Sequence, residues 1–266
     1  MPDEEAERLD EIDSPDDLDW LRPPKNVLDA GAWDRYWKNQ VDHKVAGFYD
    51  MFLEDESLAR LMIALGMQTV LCAGNGLSIE PHVLAYAGFK VTAADLSVWA
   101  SQCGQHWRPQ SKFLKDHLYG SISLRPFWLS PSYAVRKLRW LIRDINKHLL
   151  NPVKRKGGTL KFLTGDLLNP EFCPGPFDTV IERCTAQLYS GAERNRILER
   201  LTARLAPQGV FVSHCHMGWW RPGEPRTHLF KQWFQENGFT IIHPGSNYAV
   251  VPKKSGRIAV LSISTG

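Results

Sequence analysis

Val70-Leu-Cys-Ala-Gly-Asn-Gly76 is an apolar, strand-type run that enters a G-x-G turn, and Leu77 to Ala87 after it carries a helical pattern. A strand, two glycines and a helix bring backbone N–H groups within reach of a ligand, because glycine has no side chain to block the approach. The next strand, Gly88-Phe-Lys-Val-Thr-Ala-Ala94, closes at Asp95. An acid about 20 residues beyond a glycine loop accepts the hydroxyls of a ribose. Loop and acid together specify a nucleoside-containing ligand at the carboxyl edge of a sheet. A dinucleotide fingerprint needs a third small residue, G-x-G-x-x-G/A, so that the helix packs tightly behind a pyrophosphate. This chain has Ile79 there, which disfavours NAD and favours a ligand without a pyrophosphate.

Outward from the loop the pattern alternates. Leu160 to Thr164 reads as a strand ending at Gly165-Asp166, and Phe177 to Ile181 as another ending at Glu182-Arg183. Ala192 to Leu205 is a helix stopped by Pro207 and Gly209, followed by a strand over Gly209 to His214. A helix over Arg226 to Asn237 and strands over Phe239 to Ile242 and Arg257 to Ser264 complete the series. Short apolar strands alternating with helices predict an α/β sheet with helices on both faces. Upstream, Trp33 to Phe52 and Ser57 to Leu65 read as helices, the second ending at Gly66, so residues 21–66 form a helical extension.

The interval from about 98 to 158 is too long for a simple crossover and reads as an insertion, rich in aromatics such as Trp99, Trp107, Trp128 and Trp140. Within it Ala134, Val135, Leu138, Leu141, Ile142, Ile145 and Leu149 share one helical face. Aromatics are core by default, but clustering beside a pocket suits an acceptor lid.

With 266 residues, 43% of them hydrophobic and 23% charged, the chain has enough apolar surface for a core and is neither disordered throughout, collagenous nor a coiled coil. The uncharged stretch Leu61 to Ile79 contains Gly66, Gln68, Gly74, Asn75 and Gly76, so no membrane span is expected. Met1 is followed by Asp3, Glu4 and Glu5 rather than by a basic and then apolar leader, and the cytoplasm is the expected compartment. Five widely spaced cysteines without a C-x-x-C pair argue against a disulfide framework and against structural zinc. Net charge is +3, yet residues 1–20 hold ten acids against Arg8 alone. Such a leader reads as a disordered acidic tail, and the remainder is a basic body suited to anionic ligands without itself proving nucleic-acid binding. Residues 133–156 are strongly basic, so transient cover of the insertion by the tail is a further expectation.

In this order, Val70 to Gly76, Asp95-Leu96, Gly165-Asp166-Leu167, Phe177-Asp178 through Glu182 and Leu205-Ala-Pro-Gln-Gly-Val-Phe211 resemble the successive motifs of class I S-adenosylmethionine-dependent methyltransferases. The resemblance spans about residues 66 to 264. Trp33-Asp-Arg-Tyr-Trp37 is similar, more loosely, to the leader helix of thiopurine methyltransferase-like enzymes. The resemblance implies a Rossmann-like seven-stranded sheet with the last strand antiparallel, and S-adenosyl-L-methionine as cofactor. It implies that Gly74 and Gly76 contact the methionine part, Asp95 the ribose, Leu96 the adenine face, and Asp166 with Leu167 the adenine edge. Cys72, Ala73, Glu182, Arg183 and Trp37 complete the candidate cofactor set. Where the family usually has an acid two residues before the first glycine this chain has Cys72, so Glu182 or Glu80 stands in as the expected charge for the methionine ammonium.

His214-Cys-His216 places two imidazoles on one face at a strand end, which makes them candidate catalytic bases. A metal there needs a third ligand that the sequence does not supply, so no metal is expected. The expected reaction is methyl transfer to a small aromatic or heteroaromatic acceptor. Glu182-Arg-Cys-Thr185 lacks the Asp/Asn-Pro-Pro-Tyr/Phe signature of nucleic-acid amino methyltransferases, which disfavours a nucleic-acid substrate. An RNA or protein methyltransferase and a non-catalytic nucleoside-binding module remain the alternatives. Oligomeric state is not legible.

Overall fold

The computed structural model describes residues 23–42, 62–78, 80–86, 88–106, 158–216, 228–242 and 256–264. The acidic tail, the basic stretch 133–156 and the aromatics of the insertion beyond Trp99 lie outside the described residues. Helix α1 (Ala30–Asp42) precedes the sheet, followed by β1 (Thr69–Ala73), α2 (Glu80–Tyr86), β2 (Lys90–Asp95), α3 (Val98–His106), β3 (Thr159–Thr164) and β4 (Phe177–Arg183). A 3₁₀ turn (Ala186–Leu188), α4 (Gly191–Thr202), β5 (Leu205–His216), α5 (His228–Glu236), β6 (Thr240–Ile242) and β7 (Ile258–Ser264) complete the order.

The strands form one seven-stranded sheet ordered β3-β2-β1-β4-β5-β7-β6. Its centre is apolar on both faces because alternate strand residues feed different cores. Leu71, Ala73, Val180 and Phe211 meet Ile197, Leu198 and Leu201 of α4 and Trp233 and Phe234 of α5. Val70, Cys72, Ile181 and Val212 face the other way, with Leu84 of α2 and Met62. The chain builds outward from β1 to β3 and then returns to β1's other side with β4, so order reverses between β1 and β4. Such a switch point opens a crevice at the strand ends.

Every strand pairing is parallel, including β7 with both β5 and β6. This corrects the expected antiparallel last strand. The interval 243–257 between β6 and β7 exceeds the dozen or so residues a parallel return requires, whereas a hairpin return would have needed only a few. β5 also starts earlier than expected, at Leu205, with its pairing to β4 slipping between Phe177 and Thr179. Pro207, which has no N–H for the ladder, is accommodated where the register breaks. The expected insertion opens with α3, directly after β2. No helix among the described residues is long and apolar enough to cross a membrane.

At the opposite end of the sheet from the crevice, Asp178 accepts the N–H groups of Gln68 and Thr69 at 2.9 and 2.8 Å and the Thr69 hydroxyl at 2.9 Å. The motif acid of β4 therefore ties strand starts together and is structural.

Candidate functional site

Gly74 and Gly76 have φ of +61° and +48°, the left-handed region that glycine alone adopts without penalty. Neither leaves room for a side chain. A Cβ on Gly74 would collide with Thr185 Oγ1, and one on Gly76 with the indole of Trp37. The glycines thus serve close packing by this chain's own side chains as well as an open loop.

Asp95 ends β2 beside this loop and is 6% exposed. Its Oδ2 accepts the Gly76 N–H at 2.7 Å and its Oδ1 the Ser97 N–H at 2.8 Å. Burial pushes its carboxyl above the ordinary range, and the amides of Ser97 and Gly76 pull back against that shift. The Leu96 amide adds to these two donors, and a carboxylate with about four lone-pair sites keeps capacity for a ribose.

Helix α1 forms a wall. Asp29 caps its first turn by accepting the Ala32 N–H at 3.0 Å. Asp34 then reaches α3, where its Oδ1 accepts the Ser97 hydroxyl at 2.6 Å and the Trp99 N–H at 3.0 Å, while Ser97 Oγ accepts the Ala100 N–H at 3.0 Å. That doubly capped start of α3 fixes the turn after Asp95. Trp33, Tyr36 and Trp37 pack with Leu77 and Ala100, the two indoles stacking at 6.1 Å.

The cleft between these parts is lined by Gly74, Asn75 and Ser78 of the loop, Asp95 and Leu96 after β2, and Gly165, Asp166 and Leu167 after β3. Arg183, Thr185, Leu188 and Tyr189 after β4, with Val27, Trp33 and Trp37, close it. Of the candidate residues, Trp37, Gly74, Asp95, Leu96, Asp166, Leu167 and Arg183 thus meet at one cleft, and Gly76 lies under Trp37. Cys72 and Ala73 are buried in β1 and do not line it.

Glu182, 0% exposed, does not line it either. Its carboxylate accepts the Ser213 hydroxyl and the N–H groups of Thr185 and Ala186 at 3.0 and 3.1 Å. Burial pushes it above its ordinary value, with Ser213 and the two amides opposing the shift. Glu80 is held by Arg183, whose Nε and Nη2 each donate to one of its oxygens at 2.5 Å. Both acids expected to meet a methionine ammonium are engaged with the protein's own donors.

His214 is buried at the end of β5, its carbonyl accepts the Cys184 N–H at 2.7 Å, and it is not among the cleft's lining residues. The His216 side chain lies outside the described residues. No group of three or more His, Cys, Asp or Glu among the described residues is arranged to hold a metal.

Thr185, Leu188 and Tyr189 were not singled out from the sequence. They follow Cys184, whose φ of +59° turns the chain back at the strand end. Only a positive φ at a non-glycine residue carries the signal, and no composition rule reveals it. The Tyr189 phenol is pushed up to about 12 by burial and by the nearby Asp166, Glu193 and Asp95, so it stays a proton donor at neutral pH. On the β3 side Arg204 donates to the carbonyls of Cys173, Arg200, Asn169 and Phe172 at 3.1, 2.6, 2.8 and 2.9 Å. It secures the loop that begins with Asp166.

No family model matches the chain, and no curated protein matches it. Among solved structures it is similar to magnesium protoporphyrin IX methyltransferase from Synechocystis with bound SAM, at 16% identity and a TM-score of 0.45, over 81% of this chain and 86% of that one. It is also similar to a TehB-like SAM-dependent methyltransferase from Corynebacterium glutamicum, at 15% identity and a TM-score of 0.43, over 79% and 82% of the two chains. A third, described by the conversion of a disulfide bond into a thioacetal group during echinomycin biosynthesis, matches at 17% identity and a TM-score of 0.41 over 68% of this chain and spans 59% of that one.

Proposed function

We propose that the chain binds S-adenosyl-L-methionine in this cleft and directs its methyl group to a small aromatic or heteroaromatic acceptor. The reading rests chiefly on Asp95, a buried carboxylate with acceptor capacity to spare, lining a crevice beside the glycine loop at the switch point between β1 and β4. The residues present fit such a ligand. Asp95 accepts ribose hydroxyls, Leu96 and Leu167 offer apolar faces to a base, and Asp166 stands at its edge. Asp95 and Asp166 give the cleft negative character, whereas Arg183 has its charge matched by Glu80. That balance favours a cationic ligand over a phosphate.

S-adenosylmethionine supplies, when bound, a methyl group already activated by a sulfonium. The chain's own work is then mostly alignment and exclusion of water. Trp33 and Trp37 wall one side, Tyr189 offers a phenolic donor on another, and this aromatic lining supports the aromatic acceptor. His214 and His216 are the proposed bases where the acceptor must lose a proton. Replacing each with Gln lowers turnover about a hundredfold at the responsible position and leaves ligand binding intact. Full turnover in both variants would make the histidines structural.

Calorimetry with S-adenosylhomocysteine tests the whole reading. One molecule bound per chain is expected, and no heat at millimolar ligand would refute it. The RNA or protein alternative predicts in addition a salt-sensitive complex with a polyanion.

A further inference from the structure

Asp34 belongs to α1, the helix whose Trp33 and Trp37 wall the cleft, but it does not line the cleft itself. It reaches α3 instead, and the residue it takes there is the one that also holds Asp95. Ser97, 0% exposed, gives its hydroxyl to Asp34 Oδ1 at 2.6 Å and its N–H to Asp95 Oδ1 at 2.8 Å. The Trp99 N–H adds a second bond to Asp34 Oδ1 at 3.0 Å. On the far side of Asp95 the Gly76 N–H meets Oδ2 at 2.7 Å, and the Trp37 indole lies where a Gly76 Cβ would stand. The contacts thus run in a closed ring, from α1 through α3 and Asp95 to the glycine loop and back to α1.

A cap for α3 does not by itself call for this ring. Ser97 already caps the helix by accepting the Ala100 N–H at 3.0 Å. Charge does not explain it either, because the Asp34 carboxylate is near enough to Asp95 to add to the upward push on its carboxyl. Two like charges disfavour one another, and Ser97 offsets this by donating to both. The arrangement is suited to holding the Asp95 carboxylate in one orientation.

We propose that Asp34 is a positioning residue: acting through Ser97, it fixes the Asp95 carboxylate in the orientation that accepts the ligand's ribose hydroxyls. The inference rests on the adenosyl reading of the cleft given above. It makes the outer helix part of ribose recognition without any contact between Asp34 and the ligand. The competing role, a brace for α1 and α3 alone, predicts lower stability with ribose recognition unchanged.

The test is a double-mutant cycle on the full chain, read by calorimetry with S-adenosylhomocysteine. It compares Asp34→Ala, Asp95→Ala and the two together, with Asp34→Asn as the conservative variant. Asp34→Ala weakens binding about tenfold, within the range of coupling between linked sites. Its effect shrinks to less than about twofold in the Asp95→Ala background, because the group it positions is gone. Asp34→Asn, which keeps Oδ1 as acceptor for Ser97 and Trp99, stays within about threefold of the unmodified chain. Full affinity in Asp34→Ala overturns the inference, and so does an equal loss in both backgrounds, which assigns Asp34 to the α1 wall alone. An Asn variant as weak as the Ala variant also overturns it, because Asp34 then supplies charge rather than hydrogen bonding. If the unmodified chain binds no S-adenosylhomocysteine, the cleft reading itself fails. If it binds and Asp95→Ala binds equally well, the ribose assignment fails and takes the inference with it. Where thermal melting finds Asp34→Ala unfolded, Ser97→Ala takes its place in the cycle, since it removes the hydroxyl and keeps the N–H on Asp95, with the same expected and overturning results.

Discussion

The carboxyl ends of β2 and β4 carry the same element, a buried acid closing a central strand, and use it differently. Asp95 and Glu182 are both shielded from solvent, and burial pushes both carboxyls upward. After Asp95 the chain leaves through Leu96 and Ser97 into α3, giving the acid only backbone amides and leaving it on the cleft wall. After Glu182 the chain folds back at Cys184 and delivers two amides, while Ser213 arrives from β5. An acid at a strand end can meet a ligand only if the turn that follows leaves it on the cleft wall.

The largest expected effect tests the first half of that contrast. On the proposed reading Asp95→Ala removes two ribose hydrogen bonds, each charge-assisted and worth about 1.5 to 3 kcal/mol, so calorimetric affinity for S-adenosylhomocysteine is expected to fall at least about a hundredfold. Unchanged affinity would sink the ribose assignment. Glu182→Ala does the reverse. It leaves two amides and a hydroxyl unmatched and lowers stability by about 3 kcal/mol in chemical denaturation. Affinity of the folded protein changes by less than about threefold, and a loss as large as that of Asp95→Ala would erase the distinction.

Gly74→Ala has a smaller effect, a left-handed alanine costing about 1 to 2 kcal/mol plus the collision with Thr185. Adding Thr185→Ala recovers the collision and leaves the backbone cost, as denaturation midpoints will read. A double variant no more stable than the single one would mean that Thr185 is not what fills the space.

The smallest effect is in pH dependence. Glu182 binds its proton more tightly folded than unfolded, so its contribution is complete below its ordinary value of 4.5 and is lost as pH rises through the raised folded value. Melting temperatures therefore gain from mild acidification into that window, and Glu182→Gln flattens the gain. An identical profile in the variant would show that the shift lies elsewhere.

Much of this was legible in sequence because it follows from local chemistry. Glycines with an acid one strand later place Asp95 at a cleft, and apolar runs bounded by turn residues place all seven strands. The internal engagement of Glu182 is not legible in sequence because the Ser213 donor is tertiary and the amides of Thr185 and Ala186 reach it only through the turn at Cys184. The direction of β7 depends on the path over 243–257, which no periodicity within β7 reveals. Tyr189 and Thr185 reach the cleft through one left-handed cysteine, and Trp37 becomes a wall because Gly76 has no Cβ to keep it away.

Arg204 has a consequence for how this protein can change over generations. It grips the loop after β3 through carbonyl oxygens of Cys173, Asn169 and Phe172, atoms that every amino acid possesses. The grip is blind to the identity of the side chains it holds in place. The exposed positions Asn169, Pro170 and Glu171 can therefore vary and retune the cleft rim next to Asp166 while the one guanidinium keeps the loop's path, whereas Leu167, Phe172 and Cys173 are also tied down by core packing.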